Sequence, residues 1–260
     1  MSLVKAKKHL GQHFLTDKNI AARIVNALVH TSQYKQVLEV GPGMGILSDF
    51  LLERTELETH LIDIDAESCA FLQQKYPQLG TRLIHGDFLQ LDLGTIFPGK
   101  FAVIGNFPYN ISSQILFKIL DNRDRVVEMV GMFQKEVAER CASKPGTKEY
   151  GILSVLIQAY YHIEYLFTVK PGTFNPPPKV NSGVIRLSRN EVHTLPCDEK
   201  LFWRTVKAGF NQRRKTLRNA LSAVLPKDKM DNHPFFEKRA EQLSVDDFIT
   251  LTQHLTQLNQ

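Results

Sequence analysis

The chain is poor in the features that usually stabilise or localise small proteins. Three cysteines occur in 260 residues, Cys69, Cys141 and Cys197, far apart and odd in number. No CxxC pair is present and no histidines gather near them. Both a disulfide framework and a zinc site are disfavoured, and a reducing cytoplasm fits. No run approaches the ~20 apolar residues of a membrane-spanning helix. Met1 to His9 are polar and basic with no apolar centre, so they do not read as a secretory leader. Internal repeats and low-complexity tracts are absent, and no G-K-[ST] follows a glycine turn, which excludes a P-loop. What is left is an ordinary globular composition, 43% hydrophobic and 23% charged, with enough chain for one large or two modest domains. The net charge of +5 permits a polyanionic partner without requiring one.

What is present is a series of strand ends that carry polar groups. Val37–Val40 reads as a short apolar strand that runs into Gly41-Pro-Gly-Met-Gly45, after which helical periodicity resumes through Ile46, Leu47, Phe50 and Leu51. Strand, glycine turn and helix form the geometry of a nucleotide site, where Gly41, Gly43 and Gly45 let the backbone approach a ligand. The dinucleotide pattern G-x-G-x-x-G is not met, because Ile46 stands where its third glycine belongs. Glu39, an acid inside an apolar strand, is expected to brace the turn. The next strand, His60–Asp65, places Asp63 22 residues after Gly41, suited to ribose hydroxyls, while Asp65 is expected to cap the helix over 66–75. Thr81–His85 ends at Gly86-Asp-Phe88, where Asp87 can accept from an adenine amino group and Phe88 can pack on the ring, although Gly-Asp is also a common turn. A fourth apolar strand, Phe101–Ile104, leads into Asn106-Phe-Pro-Tyr109. There an amide and a neighbouring carbonyl can hold an aromatic amine while Tyr109 stacks on its ring. Strand ends that recur at intervals of about 20 residues imply βαβ units, and ligands of open α/β sheets bind at such ends. Together they describe an adenosine-containing cofactor beside a nucleobase substrate.

Upstream, Lys5, Lys7, Lys8 and His9 form a basic arm, expected to be solvated. Gly11–Leu15 is expected to fold back and anchor in the core, and Asp17 to cap a helix bearing Ile20, Ile24, Val25 and Leu28. Downstream, helices are expected over 111–120, 135–143 and 151–161, and strands over 126–134, 163–169 and 180–187, the last two joined by Pro171–Pro178 and completing the sheet with an antiparallel pair at its edge. A linker is placed near Ser188–Pro196, and the remainder reads as helical. Arg204, Lys207, Arg213, Arg214, Lys215 and Arg218 fall in a stretch without an acid. Such a run is often only a solvated face; beside a nucleobase site it reads as a contact for RNA phosphates.

Leu10-Gly-Gln-His-Phe-Leu15, Glu39-Val-Gly-Pro-Gly-Met-Gly45, Asn106-Phe-Pro-Tyr109, Phe174-Asn-Pro-Pro-Pro-Lys-Val-Asn-Ser182 and Phe210-Asn-Gln-Arg-Arg-Lys-Thr-Leu217 together resemble the ribosomal RNA adenine dimethyltransferases that act near the 3′ end of small-subunit rRNA. The resemblance covers nearly the whole chain. It implies an α/β, Rossmann-like methyltransferase fold with a mostly parallel sheet, an antiparallel edge and helices on both faces. Residues 1–188 would form the catalytic domain, opening with the 1–15 arm and motif, and 189–260 a small all-helical RNA-binding domain. It implies S-adenosyl-L-methionine as cofactor, with contacts at His13, Leu15, Gly41, Asp63, Asp87 and Asn106, and a catalytic motif Asn106, Phe107, Pro108 and Tyr109. Substrate contacts fall to Phe174, on the second face of the base unless it is a core aromatic before the proline-rich turn, and to Arg213, Arg214, Lys215 and Arg218. The implied partner is small-subunit rRNA within a pre-30S or 30S particle, met by a cytoplasmic monomer with no metal and no membrane contact. Two positions depart from the family's commonest form: His13 stands where Asn is frequent, and Phe107 where Leu is frequent. A backbone contact survives the first change, and only the carbonyl of Phe107 is needed at the second.

Other readings are a large-subunit rRNA methyltransferase of the antibiotic-resistance type, against which the Arg213–Leu217 signature argues, and a DNA adenine methyltransferase, which lacks a target-recognition domain here. A non-enzymatic RNA-binding assembly or transcription factor on the same fold is disfavoured by the intact glycine loop and Asn106–Tyr109.

Overall fold

A computed structural model describes residues 4–259; Met1 to Leu3 of the basic arm, and Gln260, lie outside the described residues. The chain forms two compact units, Met1–Ala138 with His162–Arg189, and Glu139–Tyr161 with Asn190–Gln260. The second unit thus takes in 139–161 as well as the stretch after the expected linker.

The first unit is built on β1 (Phe14–Leu15), β2 (Gln36–Val40), β3 (Glu58–Asp63), β4 (Leu83–His85), β5 (Phe101–Asn106), β6 (Val126–Gln134), β7 (Tyr161–Val169), β8 (Phe174–Asn175) and β9 (Ser182–Arg189). Its helices are α1 (Lys18–Asn26), α2 (Ile46–Glu53), α3 (Ala66–Lys75), α4 (Leu93–Ile96) and α5 (Ser112–Asp121). Seven strands make one sheet in the order β4-β3-β2-β5-β6-β9-β7. The pairs from β4 through to β6 are parallel, and β9 runs antiparallel to β6, as expected for the edge. Alternation along β5 divides its side chains between the two faces. Ala102 and Ile104 join Ile24, Val25, Leu47 and Leu51 of α1 and α2 in one cluster, while Phe101, on the opposite face, stacks on Phe97 at 4.3 Å. Phe101, Ala102, Val103 and Ile104 are all fully buried, so both faces are covered, and each large apolar side chain contributes about 1.5–3 kcal/mol of transfer free energy.

Local signals account for the element boundaries. The Asp17 carboxylate caps α1 through the amides of Asn19 and Ile20, and Asp65 caps α3 through Glu67. From β2 the chain passes to β3 and β4 on one side, then returns to β5 and β6 on the other. The order reverses between β2 and β5, the position at which open α/β sheets form a crevice. The one pairing that sequence periodicity did not indicate is short: β1 and β8 pair antiparallel, Leu15 opposite Phe174.

The second unit contains α6 (Lys135–Ala142, whose last turn belongs to it), α7 (Ile152–Gln158), α8 (Glu199–Asn211), α9 (Leu217–Ala220) and α10 (Val245–Leu258), linked by short 3-10 turns. Asp198 caps α8, and Ser244 and Asp247 form a capping box at α10. Tyr160, Phe202, Val206, Phe236, Phe248 and Leu251 fill its core. The basic stretch is not one helix: α8 stops at Asn211, and residues 212–215 form a turn before α9.

Candidate active site

A cleft opens at the carboxyl ends of β2, β3, β4 and β5. Its walls bring together His13, Gly41, Gly43, Asp63, Asp87, Phe88 and Asn106 of the expected cofactor set, and Phe107, Pro108 and Tyr109 of the expected catalytic motif. At Gly41, with φ of +68°, a Cβ would meet no atom within 4 Å, so the turn leaves open space at the foot of the cleft. The turn offers that space more than it offers donors. The amide N–H groups of Gly41, Gly43 and Gly45 are donated to the Ile62 carbonyl, the Asp63 carboxylate and the Pro42 carbonyl. Gly45 caps α2 and does not line the cleft. Leu15 is likewise buried in the core, beside a small hollow shared with Glu39, Gly41 and Asn106.

Asp63 is buried at the end of β3, and its two oxygens accept from Gly43 N–H at 3.2 Å and Asp65 N–H at 2.9 Å. Burial raises its pKa, against the pull of these backbone bonds. A carboxylate offers about four acceptor directions, so room remains for ribose hydroxyls. Asp87 accepts from Leu89 N–H at 2.9 Å, closing the turn that presents Phe88. Glu39 receives the Ser48 hydroxyl at 2.6 Å and so ties β2 to α2 just beyond the turn, the bracing role expected of it. Burial pushes its carboxyl up to about 8.

The Asn106 side-chain N–H donates to the His13 carbonyl at 2.8 Å. That bond fixes which end of the amide is the oxygen, leaving Oδ1 as an acceptor. Phe107 packs its ring into the protein interior. The ring is buried, lies 4.9 Å from Phe133, and occupies the space over Gly105 and Gly131, where a Cβ would come within 2.8 and 2.4 Å of it. The Tyr109 hydroxyl bonds the Ser182 hydroxyl at 2.6 Å, and burial raises its pKa. The His13 ring stacks against Tyr109 with centroids 5.5 Å apart, and its Nδ1–H donates to the Pro176 carbonyl at 2.8 Å. Thus His13 contacts the motif through both its backbone and its ring.

Several expected substrate residues lie elsewhere. Phe174 is 4% exposed within the sheet core and does not line the cleft; its part is to pair β8 with β1. In the second unit, Arg213 is committed to Glu241 at 2.6 Å and to the Thr147 carbonyl, and Arg218 to Glu237 at 3.0 Å and to carbonyls of Met230 and Asp231. Arg214 and Lys215 are exposed on the turn. The basic arm also differs from expectation. Lys7 is tied to Asp65, and His9 to Gln12 form part of the cleft wall. The Ser182 contact and the Lys7 and Gln12 contacts with Asp65 are not indicated by the sequence because their partners are distant along the chain, whereas the fold-back of Gly11–Leu15 and the place of His13 follow from the Gln12-His13 pair next to Gly11. Among the described residues no cluster of His, Cys, Asp and Glu could hold a metal ion, and no helix is long and apolar enough to cross a membrane.

Residues 3–257 match the ribosomal RNA adenine dimethylase family. The chain is 59% identical over 256 residues, 98% of its length and 99% of the relative's, to the ribosomal RNA small subunit methyltransferase A of Cytophaga hutchinsonii. A dimethyladenosine transferase structure from Plasmodium falciparum superposes with a TM-score of 0.78 at 27% identity, covering 95% of this chain and 98% of that one. The 23S rRNA methyltransferase ErmE shares the fold at a TM-score of 0.66 and 23% identity, over 92% and 99% of the two chains. With a family match that spans almost every residue and a sheet whose strand ends carry the family's motifs, the chain belongs to the ribosomal RNA adenine dimethylases.

Proposed function

We propose that this protein dimethylates the N6 amino groups of two adjacent adenosines near the 3′ end of small-subunit rRNA, with S-adenosyl-L-methionine as methyl donor, during small-subunit biogenesis in the cytoplasm. The observation that carries the reading is the Asn106–His13 bond, which orients an amide acceptor in the cleft that also holds Asp63 and Asp87. The residues fit the donor: an open space at Gly41, a ribose-type acid at Asp63 and an adenine-type pair at Asp87 and Phe88. Bound there, S-adenosyl-L-methionine supplies a methyl group on a sulfonium, already a good leaving group.

The chain's task is therefore alignment and activation of a weak nucleophile. The N6 lone pair is delocalised into the adenine ring. The Asn106 Oδ1 and the Phe107 carbonyl accept the two amino hydrogens, favour a pyramidal nitrogen and stabilise the positive charge that forms as the new N–C bond is made. An asparagine amide is too weak a base to take the proton, which leaves to solvent afterwards. Tyr109, held by Ser182, provides the stacking surface for a flipped base. Residues 189–260 are the RNA-binding part, with Arg214 and Lys215 facing phosphates. The protein acts as a monomer on a pre-30S or 30S particle.

Asn106→Ala tests the assignment. At saturating S-adenosylmethionine it should lower kcat roughly 100- to 1000-fold, the effect of removing one preorganised charge-stabilising group. Near-normal turnover with intact cofactor binding refutes it.

A further inference from the structure

The N-terminal arm is fastened at both ends. Residues Lys8–Leu10 make a 3-10 turn that Gly11 ends in the left-handed region, φ +66°, and His9 to His13 then run along the cleft. At one end, Lys7 Nζ lies 2.6 Å from Asp65 and 3.1 Å from Glu67, and Gln12 Nε2 lies 3.2 Å from the other Asp65 oxygen. Gln12 also accepts from the Lys7 backbone N–H at 2.8 Å, so the two residues clamp each other as well as the acid. The Asp65 side chain is 1% exposed and already caps α3, two residues beyond Asp63 in the cleft wall. At the other end, the His13 carbonyl receives Asn106, and Gly11 packs so closely on Asn110 that a Cβ would sit 2.7 Å from its Oδ1.

We infer that Lys7 and Gln12 are positioning residues of the cofactor site: by latching the 7–13 strap to Asp65 they hold one wall of the cleft against bound S-adenosylmethionine and slow its exchange and that of the demethylated product. The inference rests on the proposed cofactor. Asp65 is the node because it joins the strap to the strand end that carries the ribose acid, while the opposite fastening joins the strap to the catalytic loop. Neither latch residue needs to touch the ligand. Lys7 keeps partial exposure, so added salt weakens the latch.

The test compares Lys7→Met, Lys7→Arg and Gln12→Leu with the wild type, using S-adenosylmethionine and S-adenosylhomocysteine as probes and measuring Kd and dissociation rate directly. Lys7→Met should raise both by about five- to tenfold, a partly screened charged hydrogen bond's worth, and raise the KM for cofactor more than it changes kcat. Lys7→Arg should restore most of the loss. Wild-type dissociation should quicken with salt more than that of Lys7→Met. If Lys7→Met fails to fold, Gln12→Leu and the wild-type salt series carry the same comparison. Unchanged Kd and dissociation rates in both variants overturn the latch while leaving the proposed function intact. Wild-type protein that binds neither probe refutes the proposed function instead, and the latch with it.

Discussion

Asn106 and His13, 93 positions apart in the chain, meet through a side-chain amide and a main-chain carbonyl at 2.8 Å. Because the acceptor is backbone, this bond does not depend on the side chain at position 13. That explains how histidine stands where the family commonly has asparagine. His13→Asn should therefore leave cofactor affinity within about threefold, since the ring contacts that are lost, with Tyr109 and Pro176, are made within the protein. Calorimetric titration with S-adenosylmethionine checks this; a loss of a hundredfold contradicts a backbone role.

Glu39 makes stability depend on pH. Its carboxyl rises from 4.5 to about 8 on folding, so between those values the folded protein holds a proton that the unfolded chain has released. Its destabilising effect is absent below about 4.5 and grows as pH rises towards 8. Glu39→Gln keeps an acceptor for Ser48 and removes the titration. Relative to this variant, the wild type should lose on the order of 3 kcal/mol between pH 5 and pH 8, read from denaturant unfolding at each pH. Parallel pH profiles contradict it.

Glu128 is a fully buried carboxylate that accepts from Val29 N–H, His30 N–H and the Tyr34 hydroxyl, anchoring the loop after α1 to β6. Glu128→Ala strands the buried Tyr34 hydroxyl and two part-buried backbone N–H groups. A loss of about 3–5 kcal/mol in unfolding free energy is expected, with no direct effect on the cleft.

The cations of the second unit should separate by partner. Arg213 and Arg218 are paired within the unit, whereas Arg214 and Lys215 are exposed. Reversing the latter two charges should weaken small-subunit rRNA binding at least tenfold and lower the salt slope by roughly 1.5–2, without lowering Tm. Arg213→Ala should cost about 1 kcal/mol of stability and change RNA affinity less. Equal RNA effects from both pairs contradict this division.

The sheet and most of the cleft were legible in the sequence because their signals are local. Helix α3 and strand β6 fall at their expected limits, and Asp17 and Asp65 cap the helices assigned to them. Residues at strand ends converge wherever parallel strands pair, so Gly41, Asp63, Asp87 and Asn106 followed from register alone. What was not legible depends on long-range partners. Phe174 looked like a stacking ring before a proline-rich turn, yet its pairing with Leu15 draws it into the core. Arg213 and Arg218 looked free until Glu241 and Glu237 came beside them. Lys7 belonged to a basic arm with no periodicity, and only the fold brings it to Asp65.

The central claim is best tested by incubating the protein and S-adenosylmethionine with small ribosomal subunits that lack the modification, then digesting the rRNA and identifying its nucleosides by mass spectrometry. Wild-type protein should give N6,N6-dimethyladenosine at two adjacent positions near the 3′ end, and Asn106→Ala none. Methylation confined to naked large-subunit RNA, or no methylated adenosine from the wild type, contradicts it.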